Sequence, residues 1–192
     1  IAVRERILWL QQQPALSAEE QQWLADISKQ YGLAKVSFKQ LLLRVNIIPV
    51  SMALAQGIDE SGWGTSYFAI EANALFGEHL AKGGTHYVES RTGHIKVAAF
   101  DNLYQGVASY MHNLNSTHAY REMWQLRQQL APSNRGITGK QLIPSLLDYS
   151  VRGQVYVDDL LNLIKWHDLG AYDNAVLQTD VEARLLMFSR KK

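Results

Sequence analysis

The sequence predicts an α-rich α+β domain, a set of helices carrying one small β-hairpin. Two observations lead there. Apolar residues recur at helical spacing over most of the 192 residues, and strict alternation appears in only one stretch, Gly83 to Phe100. A third observation supports a single domain over 1–192: there is no internal repeat, low-complexity tract or obvious linker.

The elements follow in order. Val3, Ile7 and Leu10 share a helical face that ends before Pro14. Ser17 and Glu20 form a capping-box pattern that opens a second helix through Trp23, Leu24, Ile27 and Tyr31, closed by Gly32. Phe38 to Val45 is apolar on more than one side, which predicts a buried helix. Pro49 suits the first turn of a fourth helix through Val50, Leu54 and Ile58 toward Glu60. Tyr67 to Leu75 reads as a short helix ended by Gly77. In the alternating stretch, Thr85, Tyr87 and Glu89 face Ile95, Val97 and Ala99 across a turn at Arg91-Thr92-Gly93. Helical spacing returns at Leu103, Val107, Tyr110, Met111 and Leu114, then at Ala119, Met123, Leu126 and Leu130. Thr138 with Gln141 can cap a further helix, and Val157, Leu160, Leu161 and Ile164 mark another. Asp180 to Lys192 reads as a final amphipathic helix.

Composition excludes several classes. Apolar residues make up 47% and charged residues 19%, as expected of a globular chain. Nineteen basic against 18 acidic residues give +1, which argues against a strongly electrostatic grip on nucleic acid or anionic membrane. With no cysteine, disulfides, thiolate metal sites and a cysteine nucleophile are ruled out. The strongest apolar run, Ile47 to Ala55, is too short to span a bilayer. No signal-peptide pattern opens the chain, and a chain starting at Ile1 is expected to be a trimmed one. His79, His86 and His94 share a polar segment with Glu78 and Glu89, but no pair has i, i+4 spacing and there is no HExxH, so no metal is expected. Gly83-Gly84 lacks phosphate-loop spacing, and there is no GxSxG elbow. No cofactor is expected.

The chemistry concentrates in GIDESGWGTS, Gly57 to Ser66. Glu60 sits near the end of an apolar helix, where the helix dipole disfavours its charge. Gly62 and Gly64 permit a sharp turn, and Trp63 lies close in sequence. An indole packed beside the carboxyl would displace water and raise its pKa by a few units, roughly to 6 or above. A carboxylic acid kept neutral near pH 7 can protonate the leaving oxygen of a glycoside. From the residues alone, the favoured reading is an exposed helix-end glutamate beside a turn, since polar helix ends are common.

The stretch ALAQGIDESGWGTSYFAIEANALFG, Ala53 to Gly77, resembles the signature of the glucosaminidase family of peptidoglycan hydrolases, glycoside hydrolase family 73, and most of all its Bax-type members. It joins Ala-x-Ala-Gln, Glu-Ser-Gly-Trp-Gly-Thr-Ser and Asn-x-Leu-Phe-Gly at fixed spacing. Weaker similarity runs through FDNLYQGVASYMHNL and YSVRGQVYVDDLLNLI, so the family-like core covers about 35–170, with the first helices and the last as extensions. The resemblance implies a lysozyme-like helical domain with a small β-lobe flanking a substrate cleft. It implies Glu60 as general acid, and a cell-envelope or periplasmic location where the partner is peptidoglycan glycan strands.

For a second group, the resemblance points to a β-lobe carboxylate, here Glu89, although the family's Thr-x-Glu-Tyr is replaced by Thr85-His86-Tyr87-Val88-Glu89. It also points to a late tyrosine, best matched by Tyr149, with Tyr156 as the neighbouring alternative. Trp63, Asn73, Tyr110 and Tyr156 are the implied substrate-binding candidates, whereas Phe68 and Phe76 suit packing. The family's paired asparagines read Asn73-Ala74 here, so one polar side chain is lost. Asp59 should point roughly 100° away from Glu60 around the helix; Glu71 and Glu78 could approach the cleft, but nothing in their spacing requires it. The implied activity is hydrolysis of the β-1,4 bond after N-acetylglucosamine. The alternatives are a lytic transglycosylase, which leaves an anhydro end, and a glycan-binding module without catalysis.

Overall fold

A computed structural model describes residues 2–80, 83–131 and 136–175. The helix expected over Asp180 to Lys192 lies outside them. The helices are α1 (Ala2–Gln11), α2 (Ala18–Gln30), α3 (Phe38–Arg44), α4 (Val50–Ser61), α5 (Tyr67–Ala72), α6 (Leu103–Ser116), α7 (Arg121–Leu130), α8 (Gly139–Leu142) and α9 (Gln154–Trp166). Between α5 and α6, β1 (Tyr87–Glu89) pairs antiparallel with β2 (Lys96–Ala98), with Val88 opposite Val97. The α-rich class with one hairpin is therefore what the sequence predicts. No helix among the described residues is long and apolar enough to cross a membrane.

Local chemistry sets the element ends. The capping box at α2 forms, with Ser17 accepting from the Glu20 amide at 3.2 Å and Glu20 accepting from the Ser17 amide at 2.8 Å. α5 stops at Ala72 rather than Leu75 because Asn73 turns left-handed, φ 51°, and its amide N–H closes on Phe68. The expected helix from Ala119 is divided: a 3-10 turn, His118–Tyr120, precedes α7. The hairpin pairs only three residues per strand. Its turn is organised by Ser90, whose hydroxyl accepts from the His94 and Ile95 amides at 3.2 and 3.1 Å.

Apolar side chains gather into a main core and two smaller clusters. The main one surrounds α4 and includes Met52, Ala55, Phe76, Tyr110, Leu114, Trp124, Tyr156 and Leu160. A second joins α1, α2 and α3 through Ile7, Leu10, Leu24 and Leu41. A third, around Ala72, Ala74 and Val97, seats the hairpin. Arg127 ties the first two together. It is fully buried and donates to the carbonyls of Arg44 (2.9 Å) and Ile47 (2.9 Å) and to Asn115 Oδ1 (2.7 Å). The Arg44 carbonyl ends α3, where a cation is favoured by the helix dipole. Burial, with Arg4 adding repulsion, pushes the Arg127 pKa down to about 9.

α4 is the central helix, packed against α8, α9 and a 3-10 turn, Leu169–Asn174. Its N-cap is Pro49, which offers no side-chain acceptor. Asp173 supplies one from 122 positions away, accepting from the Ser51 amide (2.8 Å) and hydroxyl (2.7 Å) and also from the Gly139 amide (3.0 Å). One carboxylate thus serves the starts of α4 and α8, where negative charge is favourable. Gly139 is needed for this approach. A Cβ there would lie 2.3 Å from Ser51 Oγ and 2.6 Å from the Met52 nitrogen. Gly139→Ala is expected to lower stability by about 1–3 kcal/mol, read by denaturant unfolding. An unchanged midpoint would show that α8 does not pack on α4 this closely.

Candidate functional site

The site is built at the C-terminal end of α4. Gly62 takes φ 56°, Trp63 φ 60° and Gly64 φ 74°, so three successive left-handed residues turn the chain back. Ser61 is buried within this turn. Its hydroxyl donates to the Gly57 carbonyl and accepts from the Gly64 amide at 2.7 Å. Glu60 is thereby held on the last helical turn, one turn beyond Gln56.

Gln56 is fully buried and bridges two phenols. Tyr110 of α6 donates to its Oε1 at 2.6 Å, and its Nε2 donates to the Tyr156 oxygen of α9 at 3.0 Å. Because Tyr156 accepts from Gln56, its own proton is left to donate onward. It faces Glu60: Tyr156 lowers the pKa of that carboxyl, and Glu60 raises that of the phenol. A directional polar chain therefore runs Tyr110, Gln56, Tyr156, Glu60.

Glu60 has surface exposed to solvent, yet protein crowds its carboxyl. The crowding raises its pKa, the Tyr156 hydrogen bond opposes, Asp59 raises it further and Arg152 lowers it. Desolvation is the largest effect, and solvent access limits it. The proton is present below this raised pKa and is lost as pH rises through it. Burial and the charge of Glu60 also raise the phenol pKa of Tyr149 and Tyr156, so both stay protonated.

Tyr149 stacks on Tyr156, with centroids 5.5 Å apart and planes within 2°, and Tyr120 flanks it at 6.0 Å. Tyr149 is half-buried between these two rings, a protonated phenol whose pKa the charge of Glu60 helps to raise. Glu78 approaches from the other side. Its Oε2 accepts from Ser109 at 3.0 Å, while Oε1 is buried without a partner. Burial raises its pKa, partly offset by Ser109, and its charge, like that of Glu60, bears on Tyr149 and Tyr110. Among the described residues, no group of three or more His, Asp or Glu is placed to hold a metal ion.

The structure thus gathers Glu60, Tyr149, Tyr156 and Tyr110, and it separates the other candidates. Tyr110 is only 1% exposed, so it reaches the site through Gln56 rather than by touching a ligand. Trp63 is 59% exposed and meets His167 edge-on at 4.8 Å. Three successive left-handed residues bring the indole to His167, and the aromatic side chain that acts on the Glu60 carboxyl is Tyr156. Trp63 instead lines an apolar groove of ≈ 390 Å³ with Val50, Leu54, Ile58 and Phe76. Asn73 spends its amide on the Phe100 carbonyl at 2.8 Å, bracing the hairpin. Glu89 is exposed at the end of β1, opposite Lys96, and is not among the groups acting on Glu60. Sequence reasoning misses Gln56 and Arg152 and leaves Glu78 open. The signal for Gln56 was available: an amide inside an apolar helix, four residues before the acid.

Comparison with known proteins bears on the family and the fold. The model of the glucosaminidase family, described as mannosyl-glycoprotein endo-beta-N-acetylglucosaminidase, matches residues 35–169. The chain is 34% identical over 162 residues to protein bax of Escherichia coli (strain K12), covering 81% of this chain and 58% of that protein. It therefore spans less than two thirds of that relative's length. The catalytic domain of the autolysin Auto from Listeria monocytogenes shares the architecture, with a TM-score of 0.50 at 18% identity, over 90% of this chain and 98% of that one.

Tyr156→Phe should raise the Glu60 pKa, since it removes a hydrogen bond that favours the carboxylate. It should also cost about 1–3 kcal/mol by leaving the buried Gln56 amide unpaired. Carbon-detected NMR titration and thermal unfolding check the two effects. A Glu60 titration unchanged by the substitution would remove Tyr156 from the polar chain.

Proposed function

Because this chain belongs to the glucosaminidase family, we propose that it is a peptidoglycan hydrolase of the cell envelope, cutting the β-1,4 bond after N-acetylglucosamine in glycan strands. The observation that carries this reading is the carboxyl of Glu60, crowded enough for its pKa to rise and set among the phenols of Tyr156 and Tyr149, which feel its charge.

Below its raised pKa, Glu60 holds the proton that the leaving sugar oxygen needs as the glycosidic bond breaks. Tyr156 fixes the direction of the carboxyl. As Glu60 gives up its proton it becomes a carboxylate, and the Tyr156 hydrogen bond stabilises that product state. Tyr149 supports the sugar ring by stacking. Glu89, in the hairpin, is the carboxylate that a lobe settling over bound glycan would bring to the opposite face of the sugar. Trp63, at the edge of the apolar groove, offers a further stacking surface along a long strand.

Glu60→Gln should lower turnover of purified sacculi by about 10²–10⁴-fold with unfolding unchanged. The rate of the unsubstituted protein should fall as pH rises through the Glu60 pKa, because only the protonated acid works. Mass spectrometry should find reducing N-acetylglucosamine ends. Anhydro ends would assign a lytic transglycosylase instead, and sacculi bound but uncut would assign a binding module. A Glu60→Gln variant at full rate would sink the assignment of the acid.

A further inference from the structure

The segment between Tyr149 and Tyr156 positions both phenols that flank Glu60, and little of its own backbone anchors it. Its hydrogen bonds are local: Gly153 to the Ser150 carbonyl (3.0 Å), Val155 to the Arg152 carbonyl (3.3 Å) and the Arg152 amide to Ser150 Oγ (3.3 Å). Val151 is fully exposed. Gly153 opens α9 at φ 54°, ψ −122°, with no side-chain cap. Among the described hydrogen bonds and ion pairs, the ties from this segment to α4 are Tyr156, through Gln56 and Glu60, and Arg152.

Arg152 is forked. Its Nη2 pairs with Asp59, adjacent to Glu60, and its Nη1 with Asp159 of α9 at 3.1 Å. Its Cζ also lies 4.9 Å from the centroid of the Tyr156 ring. One guanidinium therefore touches the helix end that carries the acid, the helix that carries the phenol and the phenol itself. A fork of this kind fixes direction as well as distance, which an ammonium would not. The Arg152 side chain is 41% exposed, so the pair adds little to global stability. Its effect is local.

We propose that Arg152, forked between Asp59 and Asp159, is a positioning residue for the cleavage: it staples the Tyr149–Tyr156 segment to the end of α4 and balances the charge of Asp59 beside Glu60. The inference rests on the reading of Glu60 as the general acid. The charged and titratable groups that face Glu60 are Asp59 from α4, Arg152 from the segment before α9 and Tyr156 from α9, while Tyr149 and Tyr110 feel its charge. Asp59 and Arg152 act on its proton with opposite signs.

The test is a cycle of Arg152→Leu, Asp59→Asn and the double variant in the full chain, with the Glu60 carboxyl titrated by NMR and kcat/KM followed against pH on sacculi. Arg152→Leu should move the Glu60 titration and the alkaline limb to higher pH, and Asp59→Asn should move both to lower pH. The double variant should lie between them. Arg152→Leu should also lose about tenfold in kcat/KM at its optimum, below the ~100-fold of an ångström-scale misplacement, with little change in unfolding. Arg152→Lys should restore the titration but not the rate, since it keeps the charge and loses the fork. Shifts of the same sign in both single variants, or no shift in either, would overturn the proposal. If the unsubstituted protein leaves sacculi uncut, the hydrolase reading fails and the positioning role falls with it, while the NMR titration still decides whether Arg152 and Asp59 act on the Glu60 carboxyl. A cut by the unsubstituted protein with an unchanged rate in Arg152→Leu would overturn the positioning role alone.

Discussion

A single buried amide holds the working part of this molecule in register. Gln56 lies in the middle of α4 with no exposed surface, where an unpaired amide would cost about 1–3 kcal/mol. That cost is avoided only if a donor and an acceptor arrive from opposite sides. Tyr110 brings α6 and Tyr156 brings α9, so satisfying one side chain fixes three helices relative to one another. Glu60 lies one turn along the same face and takes the remaining Tyr156 proton. Asp173 performs the matching task at the other end of α4, accepting from Ser51 and from the start of α8. With both ends tied, α4 can neither slide nor rotate without breaking buried polar contacts.

The acid sits where opposing effects are close together. Desolvation, Asp59 and the C-terminal end of a helix dipole all favour the neutral carboxyl. Tyr156 and Arg152 favour the charged one. A general acid needs both influences, because it must hold a proton before bond cleavage and tolerate its loss afterwards. The arrangement supplies them from different elements: crowding and Asp59 come with α4, and the stabilisers come from α9 and the segment before it. How closely that segment rests on α4 therefore decides how readily the proton leaves.

Much of this was legible in the residue pattern, and the exceptions share a physical cause. Periodicity located the helices because each buries one face, and the alternation at Tyr87–Glu89 and Lys96–Ala98 located the hairpin. Ser17 with Glu20 announced the start of α2. The end of α5 was misplaced because Leu75 continues the apolar pattern while Asn73 has already turned left-handed. Nearness in sequence does not show that the positive φ of residues 62 to 64 brings the Trp63 ring to His167. The angle of Asp59 around the helix points it away from Glu60, yet Arg152, 93 positions later, pairs with it. The spacing of Glu78 leaves its place open, and the Ser109 contact fixes it. Each exception depends on a backbone reversal or a distant partner, and neither leaves a periodic trace.

The division between rigid and adaptable parts follows from the clusters. Glu60, Gln56, Tyr110 and Tyr156 belong to or border the main core, so the acid is held by the best-packed region. The hairpin rests on a cluster of small residues, Ala72, Ala74 and Val97, with Phe68 and Phe100 alongside. Its polar attachments are few: Asn73 to the Phe100 carbonyl, the Phe100 amide to Ala72 and the Ala98 amide to the Glu78 carbonyl. Short strands over a small apolar cluster open at lower free energy than a packed core. The two candidate carboxylates therefore differ in support: Glu60 is carried by α4 beside the main core, while Glu89 rides on the hairpin, which can shift without disturbing α4.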